Sequence, residues 1–339
     1  MVLSVPIEVM TVFLNVLLMV FAVMTIDVQA QESSALRMVQ TIPLPDVEGR
    51  IDHMAVDVEG RRLFIAALGN NSVEVLDLNA AKHFKSVPGL HEPQGVGFTS
   101  EFNKIFIANG KTGACDILDG SSFEPIKSVK FPDDADNIRY DANAQRVYVG
   151  YGSGALGIID AKNSDHIGNI KLDAHPESFQ LEKSGPRIFV NLPDSKKIAV
   201  VNRETRAVIT TWATTNATAN FPMALDETHH RLFVGFRKPA KVSVFDTDSG
   251  KVIANLDSAA DADDIFYDNS RRRIYIAGGE GFLSIFQQLD PEHYQPLTKI
   301  PTASGARTAL FVPEFNRLYL AVPHRASQRA EVRVYSAQP

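Results

Sequence analysis

The chain has 339 residues, 45% of them hydrophobic and 22% charged, with a formal net charge of −6. That balance suits a globular protein and supplies no basic field, so no nucleic-acid partner is expected. The single cysteine, Cys115, excludes an intrachain disulfide and any Cys-rich metal site.

The chain opens on an apolar run. Val12 to Met24 is apolar apart from Asn15, and Val28-Gln29-Ala30 puts small residues ahead of Gln31. This reads as a signal peptide over residues 1–30 and a short linker over 31–35. A retained anchor is the rival, since Glu8 and no Lys or Arg precedes the run. The run is short for a full span and Asp27 follows it closely. Both points favour cleavage, no stable membrane span after processing, and a periplasmic or secreted location.

From residue 36 the chain repeats itself. A basic residue, an aliphatic, an aromatic and a second aliphatic recur as Arg62-Leu63-Phe64-Ile65, Lys104-Ile105-Phe106-Ile107, Arg146-Val147-Tyr148-Val149 and Arg187-Ile188-Phe189-Val190. The series continues as Arg231-Leu232-Phe233-Val234, Arg273-Ile274-Tyr275-Ile276 and Arg317-Leu318-Tyr319-Leu320, at intervals of 41 to 44 residues. Within the first unit, strands are expected at His53–Val56, Arg62–Ala67, Ser72–Leu76 and Phe84–Val87, broken by Glu59-Gly60 and Gly69-Asn70-Asn71. Four short strands in about forty residues describe a propeller blade, whose two faces are covered only by its neighbours. The last unit supplies three strands, and Val39–Pro43 matches the fourth strand of the sixth unit, Leu297–Pro301. The expected fold is therefore all-β: one seven-bladed β-propeller over 36–339, with four-stranded antiparallel blades and a ring closed by the N-terminal strand.

These repeats resemble the YVTN or YncE-like β-propeller family over essentially all of 36–339. The resemblance is carried by Ile51-Asp52-His53-Met54-Ala55-Val56-Asp57, by Arg62-Leu63-Phe64-Ile65-Ala66, and by third strands such as Val73-Glu74-Val75-Leu76-Asp77 and Val242-Ser243-Val244-Phe245-Asp246. It implies a bacterial, often exported ring that acts as a binding or interaction module, with lactonases among related propellers. There is no Trp-Asp repeat, and Trp212 is the only tryptophan, so a pyrroloquinoline quinone cofactor is not expected.

Equivalent positions of a closed repeat form rings. The loops that enter the inner strands should bring together Asp52, Gln94, Asp136, Glu177, Phe221, Asp263 and Arg307 at one mouth of the channel. A second ring holds His53, Gly95, Asn137, Ser178, Pro222, Asp264 and Thr308. Chemistry varies around both rings, whereas the basic and aromatic positions keep one residue type, as structural positions do. Asp52, Asp136, Glu177 and Asp263 are the candidate ligands of a hard cation such as Ca²⁺ or Mg²⁺. The plainer reading is a solvated mouth whose carboxylates accept backbone N–H bonds. Arg237 and His324, in loops between second and third strands, add basic groups to the same face. His53, His91 and His175 are the candidate proton-transfer groups. Gly152-Ser153-Gly154-Ala155-Leu156-Gly157 matches GxGxxG, but no helix follows it, so it reads as a hairpin turn.

Two functions fit. The first is a monomeric envelope module that binds a small molecule or a protein on the mouth face. The second is a metal-assisted lactonase or carbon–oxygen lyase at the same mouth.

Overall fold

The structure is a computed structural model that describes residues 35–339. The expected signal peptide, and all of the linker except Ala35, lie outside the described residues. Among the described residues no helix is long and apolar enough to cross a membrane.

The described residues form seven four-stranded antiparallel sheets. In the first blade the strands are β2 (Met54–Asp57), β3 (Arg62–Ala67), β4 (Ser72–Asp77) and β5 (Lys82–Pro88), one residue or so from their expected ends. Register is uninterrupted in the middle pair, with Arg62 opposite Asp77 and Ala67 opposite Ser72. The burial of these strands explains their sequences. Middle strands such as Arg62–Ala67 are buried on both faces, because a sheet lies on either side, so they read as continuous apolar runs. Outer strands such as Lys82–Pro88 are exposed along most of their length and carry charge.

The core is not one mass. Among the described residues it divides into seven clusters, each wedged between two adjacent blades. The recurring aromatic is the centre of each wedge: Phe64, Phe106, Tyr148, Phe189, Phe233 and Tyr275 are fully buried and Tyr319 nearly so. Burying one such ring contributes about 1.5–3 kcal/mol, repeated at every interface.

The ring closes as the sequence implies. Strand β1 (Leu36–Pro43) pairs antiparallel with β28 (Glu331–Ala337), Leu36 opposite Ala337 and Pro43 opposite Glu331. Ile42 then packs beside Leu63 and Ile65 of the first blade and Val312 and Tyr319 of the last.

The basic position has a specific task at the opposite face from the mouth. Lys104 Nζ donates to the carbonyls of Ala161 (3.2 Å) and Lys162 (2.6 Å), in the outer turn of the next blade. Arg187 donates to Thr247 O (2.6 Å), Arg231 to Pro291 O (2.8 Å) and Arg273 to Gln338 O (2.7 Å), each one blade onward. Arg62 reaches Gly120 O in the same way. These cations satisfy turn carbonyls that strand pairing leaves over, and so tie neighbouring blades together. A carboxylate at the end of the inner strand or just after it supplies the counter-charge in two blades, Asp57 for Arg62 (2.8 Å) and Glu182 for Arg187 (2.6 Å).

Closure predicts a position-specific response along β1. Ile42→Ala should cost about 2–5 kcal/mol in urea unfolding, the price of a cavity between first and last blades. Val39→Ala, on the exposed side of the same strand, should stay within about 0.5 kcal/mol. Equal effects at the two positions would mean that the strand does not seal the ring.

Candidate functional site

All seven residues of the first predicted ring line one cavity of about 450 Å³ at the channel mouth. They come together because each lies just before, or in the first turn of, an inner strand, and the inner strands surround the axis. The second ring lies deeper. Asn137 and Thr308 are each 1% exposed, and Thr308 donates to Ile51 O at 3.3 Å. Asp264 accepts the Ala309 N–H at 2.9 Å, which locks its carboxylate against the neighbouring blade.

The four ring carboxylates do not share one environment. Asp263 is surrounded by guanidinium groups: Arg307 Nε lies 2.6 Å from Oδ2, and Arg237 contacts Oδ1. Arg50 Nη2 pairs with Asp52 at 2.7 Å and stands 3.9 Å from Asp263. The Asp52 contact is an ion pair and not an aligned hydrogen bond, since neither of its oxygens meets a donor in bonding geometry. Asp261 joins this group through Arg307 at 3.0 Å. The Arg237 guanidinium also stacks on Phe221, 3.9 Å from the ring centroid, which explains the one aromatic in the ring.

Asp136 and Glu177 sit on the other side of the mouth with no guanidinium within ion-pair distance. Their neighbour is His175, whose Nε2 lies 3.9 Å from Asp136 Oδ2. His175 Nδ1 is 2.7 Å from Gly152 O. Gly152 belongs to the GxGxxG turn, which here is the hairpin between Arg146–Tyr151 and Ala155–Asp160. Its φ is +59°, in the left-handed region that favours glycine, and a Cβ there would lie 2.3 Å from Asp133 Oδ1, so a side chain would have to displace that carboxylate.

Charge crowding and burial shift several groups. Burial raises Asp52 to about 6, with Asp263 and Asp136 adding to the shift and His53 and Arg50 opposing it. Glu177 is raised to about 8, by burial first and then by Asp136. Burial opposes charging of His53, but Asp264 (3.4 Å) and Asp52 outweigh it and lift the imidazole to about 10. For His175, too, burial is outweighed, by Asp136, the Gly152 carbonyl and Glu177, which lift it to about 9. Asp263 is also raised, by burial against the pull of Arg237 and Arg307.

Two sequence candidates lie elsewhere. His91 is exposed and outside the cavity. His324 pairs with Glu48 at 2.7 Å, beside a separate cavity at the ring closure. Arg237 is in the mouth. Sequence reasoning missed Arg50, Asp133, Asp134, Asp194 and Ser153, which also line it. It missed Arg139 as well, which projects from the third inner strand and donates to Asn137 Oδ1 (3.4 Å) and Ser178 Oγ (3.3 Å). An arginine where the other inner strands carry Ala, Gly, Gln, Phe or Leu is the signal that marks Arg139.

Cys115 is buried in the second blade, and burial raises its thiol far above the ordinary range, so it is unreactive.

No protein-family model matches the chain, and a search of curated proteins finds no match either. Solved structures do match. A chain of Kuenenia stuttgartiensis hydrazine synthase superposes with a TM-score of 0.73 at 17% identity, covering 87% of this chain and 96% of that one. A chain of the mitotic checkpoint complex superposes with a TM-score of 0.77 at 12% identity, covering 92% of this chain and 95% of that one. At such identities the likeness is one of fold.

The shifts set the sign of the pH dependence. His53 is raised from 6.5 to about 10, so its stabilisation is fully present below pH 6.5 and is lost as pH rises through 10. Asp52 and Glu177, raised acids, disfavour the folded state once ionised, which acts in the same direction. The melting temperature should therefore fall between pH 6 and pH 10, and His53→Gln should flatten the part above 6.5. A melting temperature that rises over this interval would contradict the assignment.

Proposed function

We propose that the chain is an exported YVTN/YncE-like propeller whose channel mouth binds a small polar ligand with a positively charged group. One observation carries this reading. Within a cavity where Asp52 and Asp263 already have guanidinium partners, Asp136 and Glu177 accept no hydrogen bond from the protein and have no arginine or lysine beside them. Their one cationic neighbour is the His175 imidazole, 3.9 Å from Asp136, which leaves two carboxylates with acceptor capacity for a cation that enters from outside. Across the mouth, Arg50 keeps 43% of its side-chain surface exposed and has spare N–H groups, which suit hydroxyl or carboxylate oxygens of the same ligand. The concave shape favours a small molecule over a protein surface. The apolar run Val12–Met24 and the Val28-Gln29-Ala30 pattern support export to the periplasm or beyond.

A catalytic role, opening a lactone or breaking a carbon–oxygen bond, is the second reading. The observation in its favour is the His175 imidazole beside two carboxylates.

Calorimetric titration with small hydroxylated amines, from ethanolamine to glucosamine, tests the binding reading. At least one should bind, and Asp136→Asn or Glu177→Gln should weaken it at least about 10-fold, the scale of a lost charge-assisted hydrogen bond. His91→Ala, outside the cavity, should leave it unchanged. Binding that survives both mouth substitutions would place the site elsewhere.

A further inference from the structure

One group in the mouth differs in donor chemistry from the rest. An oxygen of Asp136, an oxygen of Glu177 and a ring nitrogen of His175 lie within 4.8 Å of one another. Asp136 comes from the inner strand of the third blade, Ala135–Asp141. His175 and Glu177 come from the segment that leads into the inner strand of the fourth, Phe179–Leu181. That segment is fixed by its backbone: the Glu177 N–H donates to Asn191 O and the Asn191 N–H to Ser178 O, both at 3.0 Å. Two rigid blades therefore hold the three side chains across one inter-blade seam.

The orientation of His175 comes from outside the group. A carbonyl oxygen only accepts, so Nδ1 carries a proton toward Gly152 O, and Nε2 is the nitrogen turned toward Asp136. A histidine fixed through one nitrogen to a backbone carbonyl, with the other presented to a site, is the usual arrangement of a metal ligand.

A second observation is independent of that ring. Asp136 is only 7% exposed, lines the cavity, and receives no hydrogen bond; the nearest cationic group, His175 Nε2, is 3.9 Å away and beyond bonding reach. Buried carboxylates are ordinarily paired, hydrogen-bonded or metal-bound. Asp52 and Asp263, on the far side of the same mouth, follow that rule through Arg50 and Arg307. Asp136 has no guanidinium, only the His175 imidazole at 3.9 Å, and its carboxylate lines the cavity.

We propose that Asp136, His175 and Glu177 bind a divalent transition-metal ion of the Zn²⁺ type, leaving its remaining coordination positions open to the cavity. The inference rests on the mouth being a ligand site where Asp136 and Glu177 receive a cation, and makes that cation a metal ion through which the ligand is held, in place of a charged group of the ligand itself. The donor set selects the class. One imidazole nitrogen with two carboxylates suits Zn²⁺ and its neighbours, whereas Ca²⁺ requires six to eight oxygens and Mg²⁺ an octahedral oxygen shell. Bonds of about 2.0–2.2 Å to a tetrahedral ion put donors about 3.4 Å apart, so small side-chain rotations close the group. Three protein ligands with an open fourth position are the pattern of sites that polarise a bound molecule and not of closed structural sites. The site also redraws the expected cation set, keeping Asp136 and Glu177, replacing Asp52 and Asp263 by His175, and exchanging a hard cation for a borderline one.

The test uses the full chain, stripped with a chelator and titrated calorimetrically with Zn²⁺, Mn²⁺, Ca²⁺ and Mg²⁺. The expected result is one Zn²⁺ per chain, bound at least about 100-fold more tightly than Ca²⁺. His175→Gln and Glu177→Gln should each weaken Zn²⁺ at least about 10-fold, with His91→Ala unchanged. Co²⁺ in place of Zn²⁺ should give a visible absorption band that His175→Gln shifts or removes. Thermal unfolding checks the fold of each variant; Glu177→Gln, which breaks no protein hydrogen bond, serves if His175→Gln does not fold. Zn²⁺ that fails to bind, that is outcompeted by Ca²⁺, or that binds both variants as it binds the parent overturns the proposal. If Zn²⁺ fails but a hydroxylated amine still needs Asp136 and Glu177, only the metal assignment falls. If neither probe depends on these residues, the ligand reading falls with it.

Discussion

The strand Leu36–Pro43 lies along Glu331–Ala337 and completes the sheet that the last described residues begin. Without that pairing the last blade has three strands, and the wedge holding Ile42, Leu63 and Tyr319 loses one wall. The consequence extends to the far side of the molecule. The channel mouth is made of residues from six connections and one N-terminal approach, and only a complete circle brings all of them around one opening. Closure is thus the constraint that turns Asp52, Asp136, Glu177 and Asp263 from positions more than two hundred residues apart into walls of one cavity.

Around that mouth the protein sorts charge by blade. In the sector built by Arg50, Arg237 and Arg307, guanidinium groups stand beside Asp52, Asp261 and Asp263, with Arg50–Asp52 at 2.7 Å, Arg307–Asp263 at 2.6 Å and Arg307–Asp261 at 3.0 Å. On the other side of the mouth, Asp136, Glu177 and His175 leave acceptors facing the cavity. The two halves differ in the cation beside the carboxylates: guanidinium groups in one, a single imidazole in the other. The opposite face of the ring is built differently. There Lys104, Arg187, Arg231 and Arg273 donate to carbonyls of the next blade and act as stitches between blades.

The architecture and one ring of the site were legible in the sequence for the same reason. A repeat fixes both the strand order and the equivalence of positions, so the aromatic wedge and the seven mouth residues could be read by counting. The seven-bladed fold is found again in solved structures that share 17% identity or less with this chain. What counting missed lies off the repeat. Arg50 and Arg139 are such residues. His175 reads in the sequence like His91, each near a proline just before an inner strand, and its place in the cavity and its contact with Gly152 separate it from His91, which is exposed. His324 was placed on the right face but is taken up by Glu48 at the ring closure. The partition of the carboxylates depends on which guanidinium reaches across the axis, a matter of side-chain length and angle that the chain order does not encode.

The most direct test of the account is a cross-link across the closing strands. Arg37 and Ser336 are opposed in the antiparallel pair, and Cys115 can be removed as Cys115→Ser to leave only the engineered thiols. In an Arg37→Cys/Ser336→Cys chain, mild oxidation should join the two peptides quantitatively in a mass spectrum. The bond would close a loop of about 300 residues, and chain-entropy reasoning puts its stabilisation at about 6 kcal/mol, seen as a raised melting temperature. Two thiols that stay free in the folded, oxidised protein would show that the N-terminal strand lies elsewhere, and the mouth as described would not exist.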